Sequence, residues 1–141
     1  MKGLVKLILV SGFVFAHASL ASVYYNTATV TLKAGKEKRY YDAAVQHNVV
    51  IETVKEAGNL GYTLLPNRKN LKEVVFKEIW KSKADLDAHL GAPHMLAFFK
   101  SVNFDPALYD IAPQGSALVF TAKPSSKNIV IEKLVLDGYQ D

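Results

Sequence analysis

Cysteine is absent from this chain of 141 residues, and the absence narrows the classes of protein to which it can belong. No disulfide framework can stabilise the fold. A lipid-modified N-terminal cysteine, which anchors some exported proteins, is excluded as well. The fold must therefore depend on the burial of an ordinary apolar core.

A large excess of one charge is also missing. The formal net charge is +4, and it falls when Lys2 and Lys6 are removed with the N-terminal segment described below. The densest basic cluster, Lys36–Arg39, is interrupted by Glu37 and opens a predicted helix, so we interpret it as a solvated helix face. The charge pattern gives no indication of nucleic acid binding.

Motifs for phosphate or metal binding are absent from the sequence pattern. There is no glycine-rich loop of the G-x-G-x-x-G or Walker type. His89 and His94 are separated by a helix break, whereas two histidines that share a metal on one helix are spaced i, i+4. We therefore predict no metal site and no phosphate-binding loop.

The first residues have the pattern of a secretory signal peptide. Lys2 and Lys6 precede the apolar run Leu7–Ala16, and small residues follow, so cleavage is expected after Ala18 or Ala21. The apolar run is about half the length that a membrane span requires, which disfavours an uncleaved anchor. Residues 1–21 are thus predicted to be removed, and the mature protein to be periplasmic or secreted.

Residues 22–141 are predicted to form one domain, because about 120 residues suffice for a single core. Thr27–Gly35 alternates polar and apolar residues and suits a first strand. Lys36–Ala57 is predicted as one long helix that ends at Gly58. Its apolar stripe consists of Tyr40, Ala44, His47, Ile51 and Val54. We interpret His47 as a buried or boundary residue without a catalytic role.

An antiparallel hairpin should follow, because two β-rich segments, Leu60–Pro66 and Glu73–Trp80, are joined by a polar stretch. Ser82, with Asp85 three residues later, then predicts the capped start of a second helix. Gly91 should end that helix.

The remaining segments are a helix and two further strands. Pro93 suits the first position of a new helical segment. The stretch 104–115 is interpreted as a turn-rich connection, whereas Ser116–Ala122 and Asn128–Leu136 are predicted strands. One of these two strands should complete the main sheet.

The order β, α, β, β, α, β predicts an α+β fold, a ferredoxin-like βαββαβ unit with an antiparallel sheet and both helices on one face. Strand alternation places four residues on one face, which we assign to the helix-free side: Val74, Phe76, Glu78 and Trp80. A sheet face with this many apolar side chains is unfavourable when it is exposed to water. We therefore predict a homodimer with the sheets pressed together and a cavity in each half.

Three stretches, "KEAGNLGYTLL", "FKEIW" and "ADLDAHLGAPHMLAFFKSV", resemble the antibiotic biosynthesis monooxygenase domain family, which includes quinol monooxygenases. The resemblance covers about Thr27 to Val102 and implies a dimeric α+β barrel with a pocket between sheet and helices. Family members include cofactor-free oxygenases, haem-degrading enzymes, isomerases and domains without established activity. The haem-binding positions would fall near Ala28, His89 and Phe99, which do not match, so haem chemistry is not expected.

A cofactor-free oxygenase needs a base and a dry pocket, because the deprotonated substrate itself reduces dioxygen. His89 is the candidate base, since imidazole titrates near neutral pH; alternatively it packs beside Leu86. Glu78 is the second candidate catalytic residue, and it either orients His89 or pairs with a cation across the dimer.

Five residues are candidates for substrate binding: Trp80, Tyr62, Phe76, His94 and Phe98. Trp80 would provide a wall for a flat ring and Tyr62 a hydroxyl, although both also suit core or hairpin packing. His94 lies at a helix start, where the dipole opposes positive charge, which favours a structural hydrogen bond.

The sequence thus predicts an exported, cofactor-independent monooxygenase that takes a small aromatic or quinol-type molecule and dioxygen. A non-catalytic barrel that binds a small hydrophobic ligand is the alternative from another class. An isomerase or a hydrolase in the same pocket is a third possibility, because a fold does not fix a reaction.

Overall fold

The computed structural model describes residues 23–138, so the predicted signal peptide lies outside the described residues. Within that range, no helix is long and apolar enough to cross a bilayer. The strands are β1 (Tyr24–Leu32), β2 (Asn59–Asn67), β3 (Asn70–Trp80), β4 (Tyr109–Gln114), β5 (Ala117–Ala122) and β6 (Ile131–Asp137). The helices are α1 (Glu37–Gln46), α2 (Val49–Thr53), α3 (Lys83–Leu90) and α4 (Pro93–Ser101), and a short 3₁₀ turn spans Pro106–Leu108.

The strands form one six-stranded sheet in the order β2-β3-β1-β6-β5-β4, and every neighbouring pair is antiparallel. Without β4 and β5, the elements follow the ferredoxin-like order β1, α1–α2, β2, β3, α3–α4, β6. The predicted fold class is therefore confirmed. The β4–β5 hairpin pairs with β6 and widens the sheet by two strands beyond the βαββαβ unit.

The junction between β3 and α3 forms as predicted. Ser82 Oγ accepts a hydrogen bond from the backbone N–H of Asp85 at 3.2 Å. Gly91 follows the end of α3, and Pro93 is the first residue of α4. This capped junction places the last turn of α3, with His89, above the end of β3.

The first predicted helix is broken in the structure, which corrects the expectation of one helix over 36–57. Asn48 adopts a left-handed conformation with φ 52°, which asparagine tolerates better than most residues. The break reorients α2, so Ile51 and Val54 are exposed although the helical stripe predicted them to be buried. Gly58 does not end a helix but lies in the connection to β2.

The connection predicted over 104–115 contains a strand that the sequence did not reveal. β4 is an edge strand, and all its residues after Tyr109 are exposed. An exposed edge strand lacks the alternation that identifies a strand, and Pro113 is tolerated there because one side of the strand needs no partner.

The helices cover the opposite face of the sheet from the one predicted. The face that lies beneath them carries Val74, Phe76, Glu78 and Trp80, all of which are buried. The Tyr40 ring of α1 packs edge-on against Phe76, with ring centroids 6.5 Å apart. Alternation identifies residues that share a face, but the path of the chain between strands decides which face is covered.

The helix-free face is less apolar than the sequence suggested. It carries Lys77 and the half-buried Val75 and Ile79, together with the exposed Tyr25 and Leu65. The homodimer was predicted from apolar residues on the helix-free face, but those residues lie beneath the helices instead. The homodimer itself stays a prediction.

Candidate active site

A narrow cavity of about 60 Å³ lies between the sheet and the helices. The strand register builds its polar side, because Tyr62 and Asn26 are the cross-strand neighbours of Glu78. His89 reaches the same cavity from α3, and the rest of the wall is largely apolar, with Phe76 and Phe99 among the lining residues. The sheet and α3 thus bring Asn26, Tyr62, Glu78 and His89 together on a largely apolar wall.

Glu78 is held by two donors on the sheet. Trp80 Nε1 donates to one of its carboxyl oxygens at 3.0 Å, and Asn26 Nδ2 donates to the other at 3.3 Å. Burial raises the pKa of Glu78 to about 7, although both hydrogen bonds favour the anion and lower it. Near neutral pH, Glu78 is therefore present in both protonation states. Its hydrogen-bond partners among the described residues are Trp80 and Asn26, so it does not orient His89 as one prediction had it; pairing across a dimer stays untested.

His89 is oriented by Glu56. The distance from His89 Nδ1 to Glu56 Oε1 is 2.9 Å, and because a carboxylate only accepts, the proton lies on Nδ1. Nε2 then carries the lone pair, and it is buried without a hydrogen-bond partner among residues 23–138. Burial lowers the pKa of His89, and the contact with Glu56 partly opposes this effect. A neutral imidazole with a free acceptor nitrogen results.

Glu56 reaches His89 because the α2–β2 connection lies directly against the start of α3. A Cβ added to Gly58 would lie 2.3 Å from the Asp85 side chain, so only glycine allows this close approach. The backbone N–H of Lys81 donates to the Gly58 carbonyl at 2.9 Å. The glycine of the Glu-Ala-Gly-Asn motif therefore allows the close approach that brings the Glu56 carboxylate to α3.

His94 supports Glu56 from the other side. Its Nε2 lies 3.3 Å from Glu56 Oε1 and 3.2 Å from Thr53 Oγ1. The Thr53 hydroxyl donates to the Val49 carbonyl, so both neighbours of His94 Nε2 accept and the proton is assigned to this nitrogen. This is the structural hydrogen bond favoured for His94, and the residue is not among those that line the cavity.

Tyr62 also lines the cavity. Its hydroxyl is buried and has no hydrogen-bond partner of good geometry within the described range. Burial raises its pKa well above the usual value, the charge of Glu78 adds to this, and the neighbouring Thr53 hydroxyl opposes it. The hydroxyl therefore stays protonated and is available to donate to a group in the cavity.

The predicted aromatic contacts are only partly on the cavity wall. Phe76 lines it, but Trp80 and Phe98 do not. Trp80 is fully buried and lies against the imidazole of His89, with ring centroids 4.8 Å apart. Phe98 packs edge-on against Tyr40 in the core, and its neighbour Phe99 lines the cavity instead. Trp80 thus packs against the His89 ring without lining the cavity.

Glu56, His89 and His94 are also the donor set of a possible metal site. Each offers one ligand atom, and these atoms lie within 4.8 Å of one another. Two imidazole nitrogens and one carboxylate oxygen suit zinc or iron. The sequence spacing of His89 and His94 did not reveal this grouping, because Glu56 comes from a distant segment; the absence of a metal stays a prediction. In the hydrogen-bonded arrangement, Glu56 already interacts with both imidazoles.

Sequence reasoning missed Glu56 and Asn26. Glu56 belongs to the Glu-Ala-Gly-Asn step, and the glycine two residues after it was the only signal in the sequence. Asn26 directly precedes the predicted start of the first strand, and β1 begins earlier, at Tyr24. A strand extended by three residues would have placed Asn26 on the covered face with Ala28 and Val30.

Comparison with known proteins supports the fold and identifies a family. Residues 23–101 match the family model described as antibiotic biosynthesis monooxygenase. No significantly similar sequence was found among curated proteins.

Several solved structures share the fold at low identity. The crystal structure of PA3566 from Pseudomonas aeruginosa is 18% identical, with a TM-score of 0.59 over 84% of this chain and 92% of that chain. Rv0793 from Mycobacterium tuberculosis is 23% identical, with a TM-score of 0.52 over 58% of this chain and 81% of that chain. A crystal structure described as an antibiotic biosynthesis monooxygenase gives 23% identity and a TM-score of 0.52 over 58% and 83%.

Proposed function

Because the chain belongs to the antibiotic biosynthesis monooxygenase family, we propose that it is a monooxygenase in which His89 deprotonates a phenol or quinol. The resulting electron-rich anion reacts with dioxygen without a bound cofactor. The family includes monooxygenases, and the site contains the base and the apolar enclosure that this chemistry needs.

One observation carries the proposal. His89 lines the cavity, and its Nδ1 is occupied by Glu56. Nε2 is therefore the ring nitrogen left for a group in the cavity, and it has no partner among the described residues. A buried polar atom without a partner is costly in a purely structural role. A substrate hydroxyl that donates to Nε2 would remove this cost.

Tyr62 and Glu78 have complementary roles in this proposal. The Tyr62 hydroxyl donates a hydrogen bond to the substrate oxygen as negative charge develops there. Glu78, with a pKa of about 7, is neutral below that pH and places no opposing charge in the cavity. Above that pH its carboxylate disfavours the substrate anion.

The reaction balances without an external reductant. His89 Nε2 takes the hydroxyl proton, and the substrate anion gives one electron to dioxygen. Superoxide and the substrate radical combine at a ring carbon that carries hydrogen, and the peroxide formed takes the proton back from the imidazolium. The C–H and O–O bonds then break and water leaves. One oxygen atom remains as a carbonyl, the other is in water, and the substrate supplies all four electrons.

A ligand-binding protein is the second candidate, and the largely apolar wall of the cavity favours it. The proposal predicts protein-dependent oxygen uptake with at least one member of a panel of simple quinols and phenols, measured with an oxygen electrode. Quinols also oxidise spontaneously, so uptake without protein is subtracted. Absence of uptake, together with a rise in melting temperature on adding an apolar aromatic compound, would favour the binding protein. An isomer formed without oxygen uptake would indicate an isomerase.

The orienting role of Glu56 predicts a specific change in pH dependence. Activity should fall in acid as His89 becomes protonated, because imidazolium cannot accept a proton. Glu56 raises the pKa of His89 against the larger effect of burial. Glu56→Gln keeps an acceptor for Nδ1–H but removes the charge, so the acid limb of kcat/KM should move down by about one pH unit.

The matched control for this variant is Glu52→Gln, which changes an exposed glutamate of α2 that pairs with Lys55. Its acid limb should coincide with that of the wild type. A Glu56→Gln limb at the wild-type position would show that Glu56 does not act through His89.

A further inference from the structure

The cavity beside His89 is too small to enclose a substrate. Its volume is about 60 Å³, whereas a cavity of about 150 Å³ is needed to hold benzene in a protein core. Ligand sites for larger molecules measure roughly 300–1,000 Å³. The cavity therefore accommodates the oxygen-bearing edge of a ring, and the rest of the molecule must lie elsewhere.

A larger groove adjoins the cavity. Its volume is about 610 Å³, and it shares five lining residues with the cavity: Leu90, Phe99, Phe104, Leu134 and Leu136. These shared side chains place the groove directly beside the cavity. The two spaces are thus adjacent, with the polar groups at the cavity and an apolar wall at the groove.

The apolar end depends on the part of the chain beyond the family match, which ends at residue 101. Phe120 of β5 lies opposite Leu134 of β6 in the sheet, and both line the groove. The Phe104 ring packs against Phe99, with centroids 5.2 Å apart, and against Phe120 at 6.5 Å. The segment after residue 101 therefore adds two rings to Phe99 of α4: Phe104 from the connection and Phe120 from the β4–β5 hairpin.

The charges at the groove do not favour a charged ligand. Lys100 and Asp105 both line it, and their opposite signs leave no net charge. Leu96, on the same wall, is 54% exposed, so this end of the site is open to solvent. An uncharged apolar chain would cover Leu96 and the rings beneath it, which removes apolar surface from water.

We propose that the groove binds an uncharged apolar tail of the substrate, so that the natural substrate is amphipathic, with a phenol- or quinol-type head at His89. The assignment of the head rests on the proposed function, whereas the tail site rests on the groove alone. The five shared lining residues favour a ligand over a second copy of the chain, because they place the groove directly beside the cavity that would hold the head.

Two quinols with the same ring, one bare and one carrying a decyl chain, test the proposal. The tailed quinol should have a kcat/KM at least about tenfold higher, since one methylene in an apolar pocket changes this ratio by about 10- to 200-fold. Leu96→Glu should abolish most of that preference. Ile111→Glu is the matched control, because Ile111 is 52% exposed and is not among the groove-lining residues; it should keep the preference.

Binding of the oxidised, unreactive quinones separates this proposal from the proposed function. The decyl quinone should raise the melting temperature more than the bare quinone, and Leu96→Glu should remove the difference, even if no quinol is oxidised. Equal binding of both quinones would overturn the tail site while leaving the enzyme intact. The tail site would also be overturned if sedimentation showed a dimer that Leu96→Glu dissociates while the preference for the tailed quinol stays unchanged. The groove would then hold a second copy of the chain.

Discussion

Replacing His89 with glutamine should lower kcat for quinol oxidation by about 100- to 10,000-fold, the usual contribution of a general base. Glutamine is similar in size and can still contact Glu56, but it cannot take a proton at neutral pH. Oxygen uptake with wild type and variant at equal concentration measures the effect. The melting temperature of the variant shows whether the fold is retained, since His89 is only 1% exposed.

A second variant distinguishes loss of the base from loss of structure. His89→Ala leaves space beside Trp80 that added imidazole can occupy, and imidazole should restore part of the oxygen uptake. Toluene, which can fill the same space but has no nitrogen, should not restore oxygen uptake. A folded His89→Gln protein that retains more than about a tenth of the wild-type rate would contradict the role of His89 as base.

Replacing Glu78 with glutamine should stabilise the protein at alkaline pH and lose this advantage in acid. Burial raises the pKa of Glu78 from 4.5 to about 7, so the folded chain holds this proton more tightly than the unfolded chain. The free energy of unfolding of the wild type therefore falls as pH rises from about 4.5 to 7. The difference between the two pKa values corresponds to a loss of about 3 kcal/mol in the free energy of unfolding above pH 7. Glu78→Gln should restore at most this amount.

Urea unfolding of both proteins at acid and alkaline pH measures this difference. Glutamine keeps a carbonyl oxygen for Trp80 or Asn26, so the variant should fold at every pH in the series. Glu132→Gln, which alters an exposed glutamate of β6, is the control and should show no pH-dependent gain. An equal stability difference at both pH values would mean that Glu78 is not held neutral by burial.

Local signals in the sequence predicted the local structure well. The pairing of Ser82 with Asp85, Gly91 after α3 and Pro93 at the start of α4 each depend on neighbours within one turn, so the sequence alone specified them. The β2–β3 hairpin followed from two adjacent β-rich runs. The order of these elements was enough to predict the ferredoxin-like unit.

Features that depend on distant contacts were not predictable in the same way. The covered face of β3 depends on where the connections place α1 and α3, so alternation at Val74 and Phe76 left the side undetermined. The break at Asn48 depends on one left-handed residue inside an apolar stripe. Glu56 reaches His89 only because Gly58 packs against Asp85. The candidate residues on the cavity wall, including Tyr62, Glu78 and His89, were still recognised, because each is polar within an apolar segment.

Isotope labelling of the product tests the central claim most directly. The wild-type protein is supplied with a quinol under ¹⁸O₂, and the product is analysed by mass spectrometry, with His89→Gln in parallel. The account predicts that one labelled oxygen atom appears in the product and the other in water, and that His89→Gln yields only the unlabelled quinone of spontaneous oxidation. An unlabelled product from the wild type, with the labelled oxygen recovered as hydrogen peroxide, would contradict it.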